Sequence, residues 1–376
     1  MSKFIYLVSE DWYFCSHRLP LAIAAKEAGN EVVVVTRLTE HKQTIERHGL
    51  RVIPLRHMRR SSLNVFREIA TFVELVFIFL RERPDLVHLV AIKPVVYGAL
   101  AAKLVGIPAR VNALGGLGFV FSSKRLLARF LRPLLLWVFR LIFNDSCSRL
   151  ILQNQDDLSL MTAKGRVHKG SVCLIRSAGV DLNQYAVRDM PVGQPVVMLA
   201  SRMLWDKGVG EFVDAAQALR AQGISARFVL VGAPDPENPS SVSSEQLRHW
   251  NDTGVVEWWG YRTDMPEVLS QASVVCLPSY YGEGVPKVLI EAMACARPIV
   301  TTHMPGCREL VQSGKNGVLV RPKDSKDLKN CLAALILDRS LCQKMGAEGR
   351  RIAESEFSLT RVVGETMAIY GELLNG

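Results

Sequence analysis

Two glutamates eight residues apart, Glu283 and Glu291, lie in the stretch Gly282-Glu283-Gly284-Val285-Pro286-Lys287-Val288-Leu289-Ile290-Glu291. An apolar run at 272–277 precedes them, and proline at 286 favours the first turn of a helix. The pattern predicts a strand, a glycine-bearing loop and a helix. Backbone N–H groups at such a start, together with the helix dipole, attract anions. Eight residues are a little over two helical turns, so both carboxylates can face one cleft. There they suit hydrogen bonds from sugar hydroxyls rather than contact with phosphate. Taken alone, the pair fits equally a capping Glu283 and a solvated Glu291. Arg202 and Lys207 stand after another apolar run, with Lys207-Gly208 expected to open a helix. Two cations at a strand end can neutralise a leaving diphosphate, the electrostatic kind of catalysis that usually dominates.

The first half holds a second group. Glu10-Asp11-Trp12-Tyr13-Phe14-Cys15-Ser16-His17-Arg18 follows the first apolar run. Trp12 and its aromatic neighbours can stack on a sugar or an apolar acceptor, and His17 or Asp11 can manage a proton. A core Trp12 and a helix-capping His17 fit as well. The loop Leu114-Gly115-Gly116-Leu117-Gly118 lets backbone approach a ligand closely, Gly116 included. Lys93, with His88 five residues before it, stands near a strand end as a candidate for acceptor phosphate, although His88 also fits a core histidine.

These groups need elements to position them. Short apolar runs alternate with helix-length stretches throughout. Candidate strands in the first half are 3–9, 31–36, 51–55, 86–90, 109–114, 149–154 and 172–176. In the second half they are 196–201, 227–232, 255–259, 274–278, 299–302 and 317–321. Runs apolar on both faces, separated by helices, indicate parallel sheets in βαβ units. The expected fold class is α/β: two doubly wound Rossmann-like domains with parallel sheets facing a central cleft. Residues 1–178 form the first domain, 179–194 a hinge and 195–357 the second domain, with a C-terminal helix over 358–376 that can pack back on the first. Ligands then sit at the carboxyl ends of the strands.

Charge separates the halves. The chain of 376 residues has a net charge of +10, and residues 51–150 alone hold 16 basic against 5 acidic side chains. The stretches 63–82 and 124–143 are strongly apolar, yet both carry several charges, unlike a spanning helix. The second, with Arg125, Arg129, Arg132 and Trp137 and no acid, fits a helix lying on an anionic membrane surface, or a core helix whose arginines face water. Eight scattered cysteines without a C-x-x-C pair argue against a zinc site or a disulfide framework. The chain begins as a strand with no signal-peptide cleavage region, so the cytoplasm is the expected home. No nucleic-acid module accompanies the basic charge.

The segment G-E-G-V-P-K-V-L-I-E-A-M-A resembles the donor-site signature of retaining, family 4 glycosyltransferases, which have the GT-B fold. Gly306-Cys307-Arg308-Glu309-Leu310-Val311, the run from Gly314 to Val320, and Ser201-Arg202-Met203-Leu204-Trp205-Asp206-Lys207-Gly208 are similar to its other elements. The resemblance implies that Arg202 and Lys207 hold the donor diphosphate, that Glu291 binds the ribose and that Glu283 contacts the transferred sugar. It implies that amides of Gly284, Val285, Pro286, Lys287 and Val288 line the sugar and phosphates (proline contributing only its carbonyl), and that Tyr261 and Arg262 lie by the base. The loop at 112–119 lacks the histidine that many relatives place there. No metal and no cofactor beyond the nucleotide-sugar donor are implied. The pattern V-S-E-D-W-Y-F-C-S-H-R-L resembles members that extend polyprenyl-diphosphate-linked sugars for surface polysaccharide. The expected partners are therefore a UDP-sugar, an undecaprenyl-diphosphate-linked acceptor and the inner face of the cytoplasmic membrane. A non-hydrolysing UDP-sugar epimerase and a basic lipid- or nucleic-acid-binding module are the alternatives.

Overall fold

The computed structural model describes residues 1–60, 64–117, 126–282 and 284–375, without the side chains of 126–131 and Lys164. Glu283, Arg125 and the Arg129 side chain lie outside that range. The chain forms two compact units, Met1–Ala178 with Leu359–Gly376, and Gly179–Ser358.

The first unit is built on a seven-stranded sheet of parallel strands: β1 (Lys3–Glu10), β2 (Glu31–Arg37), β3 (Arg51–Pro54), β4 (Leu86–Val90), β5 (Ala109–Leu114), β6 (Ser148–Leu152) and β7 (Val172–Leu174). Their order is β3-β2-β1-β4-β5-β6-β7. Alternation along each strand divides the core in two. Ile5, Leu7, Val33, Val35, Val87 and Leu89 face the helices Val65–Glu82, Ile92–Val105 and Leu126–Phe143. Phe4, Tyr6, Val8, Val32 and Val34 face the other way, towards Leu19–Glu27 and the C-terminal helix Leu359–Asn375, which contributes Val362, Ile369 and Tyr370. Because both faces are covered, β2 reads as an unbroken apolar run.

On that second face His88 is a core histidine, 1% exposed. Its Nδ1 lies 2.5 Å from the Tyr370 hydroxyl, which donates to the Tyr6 hydroxyl at 3.1 Å. Burial, with Arg18 nearby, drives the imidazole well below its ordinary pKa, so it is neutral at physiological pH.

The second unit has six parallel strands, β8 (Val196–Ala200), β9 (Arg227–Val231), β10 (Glu257–Trp258), β11 (Val274–Leu277), β12 (Ile299–Thr302) and β13 (Gly317–Val320), in the order β10-β9-β8-β11-β12-β13. The segment 179–194, expected to be a hinge, packs on this unit. Tyr185 is buried in its core, Arg350 Nη1 donates to the Tyr185 carbonyl at 2.9 Å, and buried Arg297 donates to the carbonyls of Arg188 and Asp189. In both sheets the order reverses beside the first strand, between β1 and β4 and between β8 and β11. Such a switch point leaves a crevice at the strands' carboxyl ends.

Candidate functional site

From the end of β8 the chain runs through Ser201 and Arg202 to a 3-10 turn, Trp205–Lys207. Lys207 ends that turn rather than opening the helix, which begins at Val209 after Gly208 turns the chain with φ +77°. From the end of β11, Pro278-Ser279-Tyr280 leads towards the helix Lys287–Ala294. The two segments touch. Asp206 O accepts from Tyr280 N at 3.0 Å and from Ser279 Oγ at 3.1 Å. A Cβ on Gly208 would lie 2.3 Å from the Pro278 carbonyl oxygen, so only glycine permits this approach. Thr301 Oγ1 donates to Leu277 O at 2.7 Å and Thr302 Oγ1 to Ser279 O, pinning the loop to β12.

The glutamate in the helix is not on a solvated surface. Glu291, its fifth residue, is 6% exposed. Its Oε1 accepts from the Tyr185 hydroxyl at 2.9 Å and faces Lys287 Nζ at 3.1 Å, which compensates the cost of burying a carboxylate. Burial and the adjacent Glu291 charge push the Tyr185 phenol far above its ordinary pKa, so it remains a donor. Tyr185 is a partner of Glu291 that sequence reasoning missed. It stands 106 positions away in a segment whose glycines and prolines suggest only a linker. Pro286 is the N-cap and supplies no side-chain hydrogen bond, while Val285 is buried against the core.

Arg202 Nη1 lies 2.5 Å from Asp235 Oδ2, at the surface. Gly232, past the end of β9, would bring a Cβ within 1.8 Å of Ser201 O. Its N–H donates to Gly260 O at 2.7 Å and its carbonyl accepts from Trp258 Nε1 at 2.8 Å. The ends of β8, β9 and β10 are thereby drawn together, and Tyr261, 70% exposed, follows directly. Arg262 forks onto Asp264, with Nε–Oδ1 at 2.8 Å. In the Gly314–Val320 run, buried Asn316 accepts from Gln312 N at 2.8 Å and donates to Leu310 O at 2.7 Å, so that motif anchors the chain before β13.

Residues 194–338 match the family model described as "Glycosyl transferases group 1", and residues 3–154 that described as "Glycosyl transferase 4-like". Over 337 residues the chain is 31% identical to the N,N'-diacetylbacillosaminyl-diphospho-undecaprenol alpha-1,3-N-acetylgalactosaminyltransferase of Campylobacter jejuni, covering 86% of each. The chain belongs to the group 1, family 4-like glycosyltransferases. It is also 23% identical, over 83% of its own length and 82% of the relative's, to the UDP-Gal:alpha-D-GlcNAc-diphosphoundecaprenol alpha-1,3-galactosyltransferase of Escherichia coli. The crystal structure of Anabaena HepE in complex with UDP and glucose matches with a TM-score of 0.79 at 21% identity, covering 99% of this chain and 100% of that one. WaaG, a glycosyltransferase involved in lipopolysaccharide biosynthesis, matches with 0.72 at 14% identity, over 97% and 99%. The fold of this glycosyltransferase is GT-B.

In its first unit several acceptor candidates come together at the strand ends. Tyr13 stacks on His17 with ring centroids 4.1 Å apart, and Trp12 meets Tyr13 edge-on at 5.8 Å. A Cβ on Gly115 would lie 3.4 Å from the Tyr13 hydroxyl, so the glycine loop after β5, with Gly116 at φ +142°, reaches the same place.

Asp11 differs from expectation. It is fully buried, Oδ1 accepting from Trp12 N and Thr39 Oγ1 and Oδ2 from Thr39 N and His41 N, at 2.6–3.0 Å. Four bonds use the acceptor capacity of a carboxylate. Burial alone would raise its pKa, but these donors outweigh it and the net shift is downward. Asp11 therefore clamps the 39–41 loop. Lys93 Nζ is engaged by Glu68 at 2.7 Å and by Arg59 O at 3.0 Å, so a phosphate there would compete with a carboxylate.

Asp157, which sequence reasoning passed over, is half-buried beside Leu117 of the glycine loop after β5. Burial, reinforced by the charge of Asp156, pushes its carboxyl up to about 6 against hydrogen bonds from Asn154 and the Leu117 amide.

Proposed function

We propose that this glycosyltransferase moves a hexose or N-acetylhexosamine from a UDP-sugar to a sugar carried on undecaprenyl diphosphate. Transfer retains the anomeric configuration and needs no metal, in the assembly of a bacterial surface polysaccharide or glycan. The observation that carries the reading is the 31% identity across 86% of both chains with a relative whose name specifies that acceptor type and an alpha linkage. In this reading the bond from the sugar's anomeric carbon to the β-phosphate oxygen breaks while the acceptor hydroxyl attacks from the same face. The hydroxyl's proton passes to the departing phosphate oxygen, and UDP leaves. Lys207 and Arg202 stabilise the charge that grows on the diphosphate. Amides of Gly284, Val285, Lys287 and Val288 and the start of the Lys287–Ala294 helix hold the sugar and phosphates.

Glu291, oriented by Tyr185, takes the ribose hydroxyls, Glu283 positions the transferred sugar, and Tyr261 and Arg262 flank the base. Trp12, His17 and Gly116 receive the acceptor, with Lys93 near its phosphates. The enzyme works on the inner face of the cytoplasmic membrane, where Arg125, Arg129, Arg132 and Trp137 meet anionic lipid. The test is incubation with labelled UDP-N-acetylgalactosamine, UDP-N-acetylglucosamine or UDP-galactose and an undecaprenyl-diphosphate sugar. Label is expected in the lipid extract, in alpha linkage by NMR. Label confined to the aqueous phase with every donor, or a beta product, contradicts the reading.

A further inference from the structure

The helix Val65–Glu82 has two apolar faces. Thr71, Leu75, Phe79 and Glu82 are buried against the sheet. On the opposite side Phe66, Ile69, Val73, Phe77 and Leu80 recur at helical spacing and span about 80° of arc. All five are exposed, Phe66 by 84% and Phe77 by 68%. A surface helix ordinarily turns charge to water opposite its core face. The neighbouring helix Ile92–Val105 packs between this one and Leu126–Phe143, on the same face of the sheet. Leu126–Phe143 repeats the arrangement, with Phe139, Ile142 and Phe143 buried and Trp137 64% exposed. Among the described residues, the outer surface of this three-helix layer thus carries a second, exposed apolar set. Contiguous exposed apolar patches of this kind mark interaction surfaces.

We infer that this layer is the surface that docks onto an anionic bilayer, with the stripe from Phe66 to Leu80 entering the headgroup region and the helix lying in the plane of the membrane. The inference rests on the lipid-linked acceptor reading and deepens it by naming the surface and shifting its centre to a different helix. Charge selects the occupant. Residues 51–150 hold 16 basic and 5 acidic side chains. The acids of the helix are spent inside the protein: Glu68 pairs with Lys93, Glu74 accepts from the amides of Arg56 and His57, and Glu82 pairs with Arg51 and Lys3. Arg67 and Arg81 are exposed beside the stripe. Two copies meeting through this face would oppose like charges, whereas an anionic leaflet attracts each nearby Arg or Lys. Among the described residues no helix is long and apolar enough to cross a membrane, so the contact is interfacial.

The experiment is co-sedimentation of the full chain with vesicles of phosphatidylethanolamine and phosphatidylglycerol, and with phosphatidylcholine vesicles, at 0.1 M salt. It compares the native protein with the Phe66→Ser/Phe77→Ser variant. Thermal unfolding of both proteins shows whether the fold persists, and Phe77→Ser alone serves if the double variant unfolds. Expected are binding to the anionic vesicles, a partition coefficient at least tenfold lower in the variant, and unchanged sugar transfer to a water-soluble, short-chain prenyl-diphosphate acceptor. Equal binding of variant and native protein, or no binding to anionic vesicles, overturns the inference. So does a dimer in sedimentation velocity that the same substitutions dissociate. If binding and its loss hold while no labelled sugar reaches any lipid-linked acceptor, the docking surface stands and the acceptor reading falls.

Discussion

Glu291 and Tyr185 show what one buried hydrogen bond can organise. The phenol meets Glu291 from the side of the core, fixing a carboxylate that Lys287 approaches within the same helix. Tyr185→Phe keeps the packing and removes only that bond, so it should raise the KM for the UDP-sugar several-fold and leave kcat within about twofold, because hydrogen bonds to charged groups contribute ~1.5–3 kcal/mol. Steady-state kinetics with varied donor reads the split, and a fall in kcat at constant KM contradicts it.

Two first-unit carboxyls make opposite predictions with pH. Asp157, held at about 6, keeps its proton in the folded state where the unfolded chain, near 4, has lost it. It therefore costs stability increasingly as pH rises from about 4 to 6, and Asp157→Asn should gain on the native protein over that range. Asp11, with its pKa lowered, contributes stability above about pH 4 that disappears as pH falls through its folded value. Denaturant midpoints from pH 2 to 7 test both, and parallel profiles for native protein and Asp157→Asn refute the first. None of these pairings was legible in the sequence. Glu291 stood out because proline and glycine marked its helix, but nothing in a linear pattern joins it to position 185 or joins Asp11 to Thr39.

The thirteen strands were legible because parallel strands covered on both faces leave continuous apolar runs, and β1 to β13 fall on the expected runs within a few residues. The same logic fails for helices with two apolar faces. Periodicity shows that Val65–Glu82 is a helix but does not say which stripe meets the sheet, so its outward phenylalanines were invisible until the layer was assembled. The approach of the 201–208 and 278–280 segments was legible only as the consequence of a strand order, and Gly208 permits it. Gly208→Val should force the 201–208 turn off the Pro278 loop, since a side chain at φ +77° is strained and a Cβ would enter the Pro278 carbonyl. Donor binding should fall more than tenfold with only a modest loss of melting temperature. Unchanged donor affinity in a folded variant contradicts the contact's importance.

Across the whole molecule, the last helix completes the first unit. Tyr370 packs edge-on against Phe4 at 5.4 Å and joins His88 and Tyr6 in the core. Tyr370→Ala should destabilise by ~3–5 kcal/mol, the range for removing a large core side chain. Urea titration with a probe in the first unit checks it, and a loss under 1 kcal/mol contradicts this packing. The surplus of positive charge also belongs to the first unit, while residues 201–376 hold 19 basic against 21 acidic side chains. In the proposed reading that charge marks the membrane side, and nucleotide binding depends on two cations placed by the fold. Calorimetric titration of UDP into the native protein and Lys207→Ala tests that dependence directly. The account predicts binding by the native protein and at least tenfold weaker binding by the variant, about 1.4 kcal/mol, at an unchanged melting temperature. Equal affinities would mean that the turn after β8 does not hold the diphosphate.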